Sequence, residues 1–248
     1  MPQTLPRIRS DWALFLDVDG TLLDFAETPD QVEVPDDLPD ILGALHGFLG
    51  GAVALVSGRP IADLDRIFAP LRLPAAGQHG AELRATARGE IVKAPPLPGL
   101  AEMIAGLRRF AASRPGVLVE DKNASVAVHY KRAPQYRDEI EEFTRVIAAG
   151  NEAMEVLDAV MAFDVKPRSV DKGRAVAWFM HRPPFSGRVP VFVGDDRTDE
   201  DGFAAVAERA GHAVQVGAAR PRVAASHIPA PAGVRQWLRA NIADEAPR

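Results

Sequence analysis

Three short apolar runs along the chain each stop at a polar residue: Ala13 to Asp17, Ala52 to Ser57 and Val189 to Asp195. Runs that are apolar at consecutive rather than alternate positions bury both faces, and such strands belong in a parallel sheet covered by helices. Between the first two runs, Leu38, Ile41, Leu42, Leu45 and Phe48 recur at the spacing of a buried helix stripe. After the third, Phe203, Val206, Ala207 and Ala210 mark a second amphipathic segment behind capping residues. The pattern predicts strand-helix units of a doubly wound α/β sheet. In such sheets a ligand binds beyond the carboxyl ends of the strands, where Asp17, Ser57 and Asp195 fall.

From about Arg84 to Pro167 the pattern changes. A helix over Leu100 to Phe110 leads to strands Val117 to Lys122 and Ser125 to Tyr130, with Lys122-Asn123-Ala124 as a tight turn. Gln135 to Ala148 predicts a second helix, followed by short strands near Met154 to Leu157 and Met161 to Lys166. The order helix, strand, strand, helix, strand, strand predicts an antiparallel sheet with two helices on one face. This reads as an α+β domain of residues 84–167 inserted into a core of 1–83 and 168–248. Alternation then puts Val126, Val128, Phe163 and Val165 against the helices. Glu120, Lys122, His129, Asp164 and Lys166 are left as one polar face, suited to a polyhydroxylated ligand.

Composition narrows the classes of function. With no cysteine, thiolate nucleophiles, disulfides and zinc-thiolate sites are excluded. A formal charge of −5, with both signs mixed along the chain, argues against nucleic acid as a partner but not against an anionic substrate in a pocket of fixed cations. The apolar run from Trp12 is broken at Asp17, too early for a signal peptide or a membrane span. No membrane partner is expected, and the cytoplasm is the default location.

The chemistry gathers where the apolar runs end. In Asp17-Val18-Asp19-Gly20-Thr21 two carboxylates leave the first strand two residues apart, and paired carboxylates repel unless a cation lies between them. Magnesium suits an all-oxygen set and keeps waters that a phosphate can replace. A second acidic group, Gly194-Asp195-Asp196-Arg197-Thr198-Asp199-Glu200, can complete that ligand set. Ser57-Gly58-Arg59 offers a hydroxyl and backbone N–H groups to phosphoryl oxygens. Lys172, between Asp171 and Gly173, adds a point charge.

In order and spacing these segments resemble the four motifs of the haloacid dehalogenase superfamily of phosphatases, and the resemblance covers nearly the whole chain. With Val119-Glu120-Asp121-Lys122, His129-Tyr130 and His79-Gly80-Ala81-Glu82 added, the chain is similar to the bacterial trehalose-6-phosphate phosphatase family. The resemblance implies a Rossmann-like core with an inserted cap of the C2 type and hydrolysis of a sugar phosphate through an aspartyl-phosphate. Asp17 is then the nucleophile, and Asp19 the acid that protonates the leaving oxygen and afterwards activates water. Magnesium is implied on the Asp17 and Asp195 carboxylates and the Asp19 backbone carbonyl. Asp199 stands behind these ligands, steadying Lys172 or a metal-bound water, and Asp196 takes either place. Glu120, Lys122, His129, Asp164 and Lys166 are the implied sugar contacts. Asp164 departs from the family's usual Glu, which puts its reach to a hydroxyl in doubt. A functional pairing with trehalose-6-phosphate synthase is left open.

Taken singly, each signal has a plainer reading. Ser57 can be a helix cap, Asp199 a first-turn acid, Lys172 a solvated cation, and the cap positions a wet strand face. His79 and Glu82 read as hinge or positioning residues, Arg59 and Arg197 lie near the site but are explained equally well as surface ion pairs, and Trp178, Phe179 and Trp237 read as packing aromatics. Only the joint pattern favours chemistry. Three rival functions remain: a sibling phosphatase for sucrose phosphate, mannosylglycerate phosphate or a monosaccharide phosphate; a phospho-receiver module; and an inactive sugar-binding relative.

Overall fold

A computed structural model describes residues 5–26, 31–95, 97–159, 161–217 and 226–243. In chain order the elements are β1 (Trp12–Leu16), α1 (Leu38–Phe48), β2 (Val53–Val56), α2 (Ile61–Ile67), β3 (Ala75–Gly77), β4 (Glu82–Arg84), β5 (Val92–Lys93), α3 (Leu100–Ala111), β6 (Leu118–Asp121) and β7 (Val126–His129). There follow α4 (Arg137–Ala149), β8 (Met154–Ala159), β9 (Ala162–Pro167), α5 (Lys172–Met180), β10 (Val189–Gly194), α6 (Glu200–Ala207), β11 (His212–Val216), β12 (Ser226–Ile228) and α7 (Pro231–Ala243). The chain divides into two compact units, Met1–Val92 with Asp171–Arg248, and Lys93–Val170. The division falls later than the sequence break at 83/84 because β4 folds back antiparallel on β3 and, with β5, extends the first unit's sheet.

The first unit is an eight-stranded sheet in the order β12-β11-β10-β1-β2-β3-β4-β5. Every residue of β1 and of β2 is buried. Successive side chains of a strand point to opposite faces, so full burial means that both faces are covered. Leu38, Ile41, Leu42 and Leu45 form the buried stripe of α1, which packs with α7, while α5 packs with α6. Strands β10 and β2 lie parallel to β1 on its two sides, with Leu16 opposite both Val193 and Leu55. That register brings the ends of three sequence-distant strands, and so Asp17, Ser57 and Asp195, to one edge. The chain also leaves β1 in opposite directions toward β2 and β10, the crossover point at which doubly wound sheets hold ligands.

The second unit is a four-stranded antiparallel sheet in the order β6-β7-β9-β8, with α3 and α4 packed on it. Val126, Val128, Phe163 and Val165 are all buried in one cluster with Leu107, Met103 and Ile140 of the helices. Helix α4 starts at Arg137 rather than Gln135 because Pro134–Tyr136 forms a separate 3₁₀ turn before it. Among the described residues no helix is long and apolar enough to cross a membrane.

Candidate active site

Asp17 follows the last residue of β1, and its backbone N–H still donates to Val193 O at 2.9 Å. The chain must then turn at once: Gly20 has φ +81°, and the N–H groups of Leu22 and Leu23 fold back onto the carbonyl of Val18. A Cβ on Gly20 would lie 2.3 Å from an Asp195 carboxylate oxygen, so only glycine lets this loop pass over Asp195. The Thr21 hydroxyl donates to the same carboxylate at 3.2 Å.

Lys172 opens α5, whose first turn is capped by the Asp171 carboxylate accepting the Arg174 N–H at 2.7 Å. Its buried ammonium donates to Asp17 at 2.8 Å and to Asp199 at 2.6 Å. Asp199, with no exposed surface, uses its other oxygen to accept the backbone N–H groups of Asp195 and Asp196 at 2.9 and 3.0 Å. Both oxygens of Asp199 are therefore engaged. Asp196 caps the following turn, accepting from the Thr198 N–H at 2.8 Å and the Thr198 hydroxyl at 2.7 Å. Gln215 steadies the same loop by donating to the Asp195 carbonyl at 2.7 Å.

Charge in this pocket is one-sided. Burial raises the Asp17 carboxyl above its ordinary range, and the neighbouring Asp196 and Asp19 outweigh part of what Lys172 takes back. The Asp195 carboxyl is pushed up to about 8 by burial, then by Asp17 and Asp196. Asp199 is also raised, chiefly by burial. Burial pulls Lys172 down, but Asp17, Asp199 and Asp196 together push it well above its ordinary value, so it stays charged. Asp196 moves the other way: its burial is outweighed by Lys172 and the Thr198 hydrogen bonds. One ammonium thus serves several carboxylates, a deficit of positive charge that a hard divalent cation would fill. Ligand oxygens of Asp17, Asp195 and Asp199 lie within 4.8 Å of one another. The all-oxygen donor set fits such a cation, and of the three acids Asp199 is the one shown bonded at both oxygens.

Ser57 follows β2, is buried, and accepts the Arg59 N–H on its hydroxyl at 3.1 Å. Arg59 is no surface residue: it is buried, and its guanidinium grips Asp19 with two bonds of 2.7 Å. Glu82 accepts the N–H of Ile61 at the start of α2 at 2.8 Å, and the His79 ring packs against Gly58, where a Cβ would come within 2.8 Å of it. Gln78 and His79 both take left-handed φ, so the turn carrying them is held under local strain. His79 and Glu82, expected as hinge or positioning residues, thus contact the stretch from Gly58 to Ile61 that follows Ser57. Arg197 is exposed, while Phe179 and Trp237 are core residues.

In the second unit, Glu120 stands opposite Ala127, and Ala127 opposite Asp164, so the two acids share the helix-free face. Glu120 bonds His129 at 2.8 Å, and that bond first, then Lys122, holds its carboxyl below the usual range. The Lys122 ammonium lies 3.1 Å from Asp164. Lys166 is on the same face but is buried and engaged at the base of the sheet, 2.6 Å from Glu155 and 2.5 Å from the Val170 carbonyl. The face therefore offers one ion pair, Lys122 with Asp164, and one hydrogen-bonded pair, Glu120 with His129, with Lys166 engaged elsewhere. What the residue pattern missed is Gln215; it placed Arg59 and Thr21 near the site but gave neither a partner. Arg59 carried a signal in its place two residues after Ser57, Thr21 in closing the first aspartate motif, and Gln215 none.

A parallel sheet with an aspartate loop at its central crossover, a lysine from a late helix and a cap inserted between them defines a haloacid dehalogenase-like core. The trehalose-phosphatase family model matches residues 15–232. The chain is 44% identical over 209 residues to a probable trehalose-phosphate phosphatase of Sinorhizobium fredii, covering 84% of this chain and 78% of that one. It is 39% identical over 213 residues to the trehalose-6-phosphate phosphatase of Escherichia coli, covering 86% and 80%. The C-terminal domain of C. albicans trehalose-6-phosphate phosphatase superposes with a TM-score of 0.83 over 94% of this chain and 92% of that one, at 21% identity, a likeness of fold. The chain belongs to the trehalose-phosphatase family and is, like its relatives, a phosphomonoester hydrolase.

Proposed function

We propose that the chain hydrolyses trehalose 6-phosphate to trehalose and inorganic phosphate, with Asp17 as nucleophile. The observation that carries this reading is the Lys172 ammonium 2.8 Å from Asp17, a buried carboxylate at the end of the central strand. The Asp17 oxygen attacks phosphorus and the bond from phosphorus to the sugar oxygen breaks, with Asp19 giving that oxygen its proton. Water then attacks the phosphorus of the aspartyl-phosphate, Asp19 takes the water's proton, and Asp17 is released with inorganic phosphate. Ser57 and Lys172 bind phosphoryl oxygens through both steps. Magnesium held by the Asp17 and Asp195 carboxylates and the Asp19 carbonyl would supply neutralisation of the substrate's charge.

The second unit, in this reading, recognises the sugar. The pairs Glu120 with His129 and Lys122 with Asp164 present donors and acceptors that hydroxyl groups can bridge. A trehalose-6-phosphate synthase, which forms this substrate, is the metabolic partner implied. Steady-state phosphate release across trehalose, sucrose, mannosylglycerate and glucose phosphates tests the assignment: trehalose 6-phosphate should exceed the others clearly, and equal rates would overturn it. In parallel, Asp17→Asn should fold normally and release no phosphate. Turnover by that variant, with deamidation ruled out, removes Asp17 as nucleophile.

A further inference from the structure

The four motifs leave Arg59 without a task, yet it makes the only two-bond ion pair to an expected catalytic acid among the described residues. Its Nε donates to Asp19 Oδ2 and its second terminal nitrogen to Oδ1, both at 2.7 Å. Two parallel N–H bonds fix direction as well as distance, so the carboxylate plane follows the guanidinium plane. The arginine is itself held. Its N–H donates to the Ser57 hydroxyl at 3.1 Å, and its carbonyl accepts the Gln78 N–H at 2.9 Å. Gly77 approaches so closely that a Cβ there would come within 2.8 Å of that carbonyl oxygen. The Arg59 side chain is 9% exposed and that of Asp19 is 28% exposed. The arginine is the more buried member of the pair, and its backbone is held on both sides.

We propose that Arg59 is a positioning residue that sets where the Asp19 carboxylate stands beside Asp17 and Ser57. The proposal rests on the acid and base role read for Asp19. Bonds to one side of each carboxylate oxygen leave a further lone pair on each, one to carry the proton that goes to the leaving oxygen and, once that proton is given, to accept the proton of the water. Because the Arg59 N–H also bonds the Ser57 hydroxyl, the same residue ties the expected phosphoryl-binding segment to the acid. A lysine would keep the charge but could not fix the carboxylate plane.

The test is a double-mutant cycle with Arg59→Ala, Asp19→Asn and both together, measuring kcat and KM on trehalose 6-phosphate and on an activated aryl phosphate. A displaced acid costs on the order of 100-fold, so Arg59→Ala should lower kcat on the sugar phosphate by roughly 10- to 100-fold and leave KM within about twofold. The loss should be smaller on the aryl phosphate, whose leaving group needs no proton. The double variant should be no slower than Asp19→Asn alone, since both act through one carboxylate. Arg59→Lys should recover only part of the rate, and it replaces the alanine variant if thermal melting shows that variant to be unfolded. Losses that multiply, or a KM rise shared by both substrates, would overturn the proposal and make Arg59 a direct phosphate ligand or a purely structural residue. A full-rate Asp19→Asn would instead overturn the acid and base reading, and this proposal with it.

Discussion

Lys172 stands between Asp17 and Asp199, and its shorter bond, 2.6 Å, is to Asp199 rather than to Asp17. Asp199 in turn receives the backbone N–H groups that lead the chain into Asp195. Through one fully buried carboxylate the cation of α5 and the acidic loop after β10 are fixed together.

Removing the ammonium leaves two buried carboxylates without their cation. Lys172→Met should therefore lower stability by about 3–5 kcal/mol in chelator, in the range seen when one partner of a buried ion pair is lost. Urea denaturation checks this. A midpoint unchanged from the parent would show that the pair contributes nothing to the fold.

Asp19→Asn keeps the backbone carbonyl but loses the proton donor. Turnover on the sugar phosphate should fall by roughly 10²–10⁴, with a much smaller fall on an activated aryl phosphate. Equal losses on the two substrates would exclude the acid role.

The pH dependence has a definite sign. The Asp195 carboxyl, raised to about 8, holds a proton in the folded chain that the unfolded chain has released above about 3.9. Its contribution to stability is full below the unfolded value and is lost as pH rises through about 8. Asp17 and Asp199, also raised, act in the same direction, while the lowered Asp196 opposes them. Metal-free protein should thus lose stability from about pH 4 toward 8. Magnesium competes with that proton, so excess magnesium should flatten the slope and bind more tightly as pH rises. Denaturation midpoints and calorimetric titrations at several pH values read both effects, and an identical slope with and without magnesium would exclude the cation from this pocket.

Lys122→Ala tests the second unit. It removes the partner of Asp164 and, in the proposed reading, a sugar contact. Loss of a hydrogen bond involving a charged group costs about 1.5–3 kcal/mol, so kcat/KM on trehalose 6-phosphate should fall by roughly 10- to 100-fold. Small aryl phosphates should be hydrolysed about as before. An equal fall on both would assign Lys122 to the fold or to closure of the site instead of sugar recognition.

What could be read from the residues alone follows from how each signal is written in sequence. Strands β1, β2 and β10 are continuous apolar runs, and α1 is a clean stripe, so burial itself spells them out. The two faces of the second sheet were legible by alternation. Strands β3, β4 and β12 have three residues each, too few for any period, and are defined by their pairing partners. Local hydrogen bonds, invisible in spacing, mark how the acids differ: Asp196 accepts from Thr198 on one oxygen, and Asp199 engages both of its oxygens, with Lys172 and with two N–H groups. Arg59 could not be told from a surface ion pair because its partner lies 40 residues away across β1 and β2. Spacing along a chain carries no trace of such a pair.

The parallel pairing of β1 with β10 also has a consequence in time. Asp17 and Lys172 are 155 residues apart, and at ~5–20 residues per second a ribosome needs on the order of ten to thirty seconds to travel between them. Until β10 and the loop behind it have emerged, β1 is an apolar strand with one long edge unpaired, and its aspartate has neither lysine nor acidic loop. A growing chain therefore holds the parts of this pocket apart until the loop after β10 is made, and its earliest strand waits with an open edge for the partner that covers it.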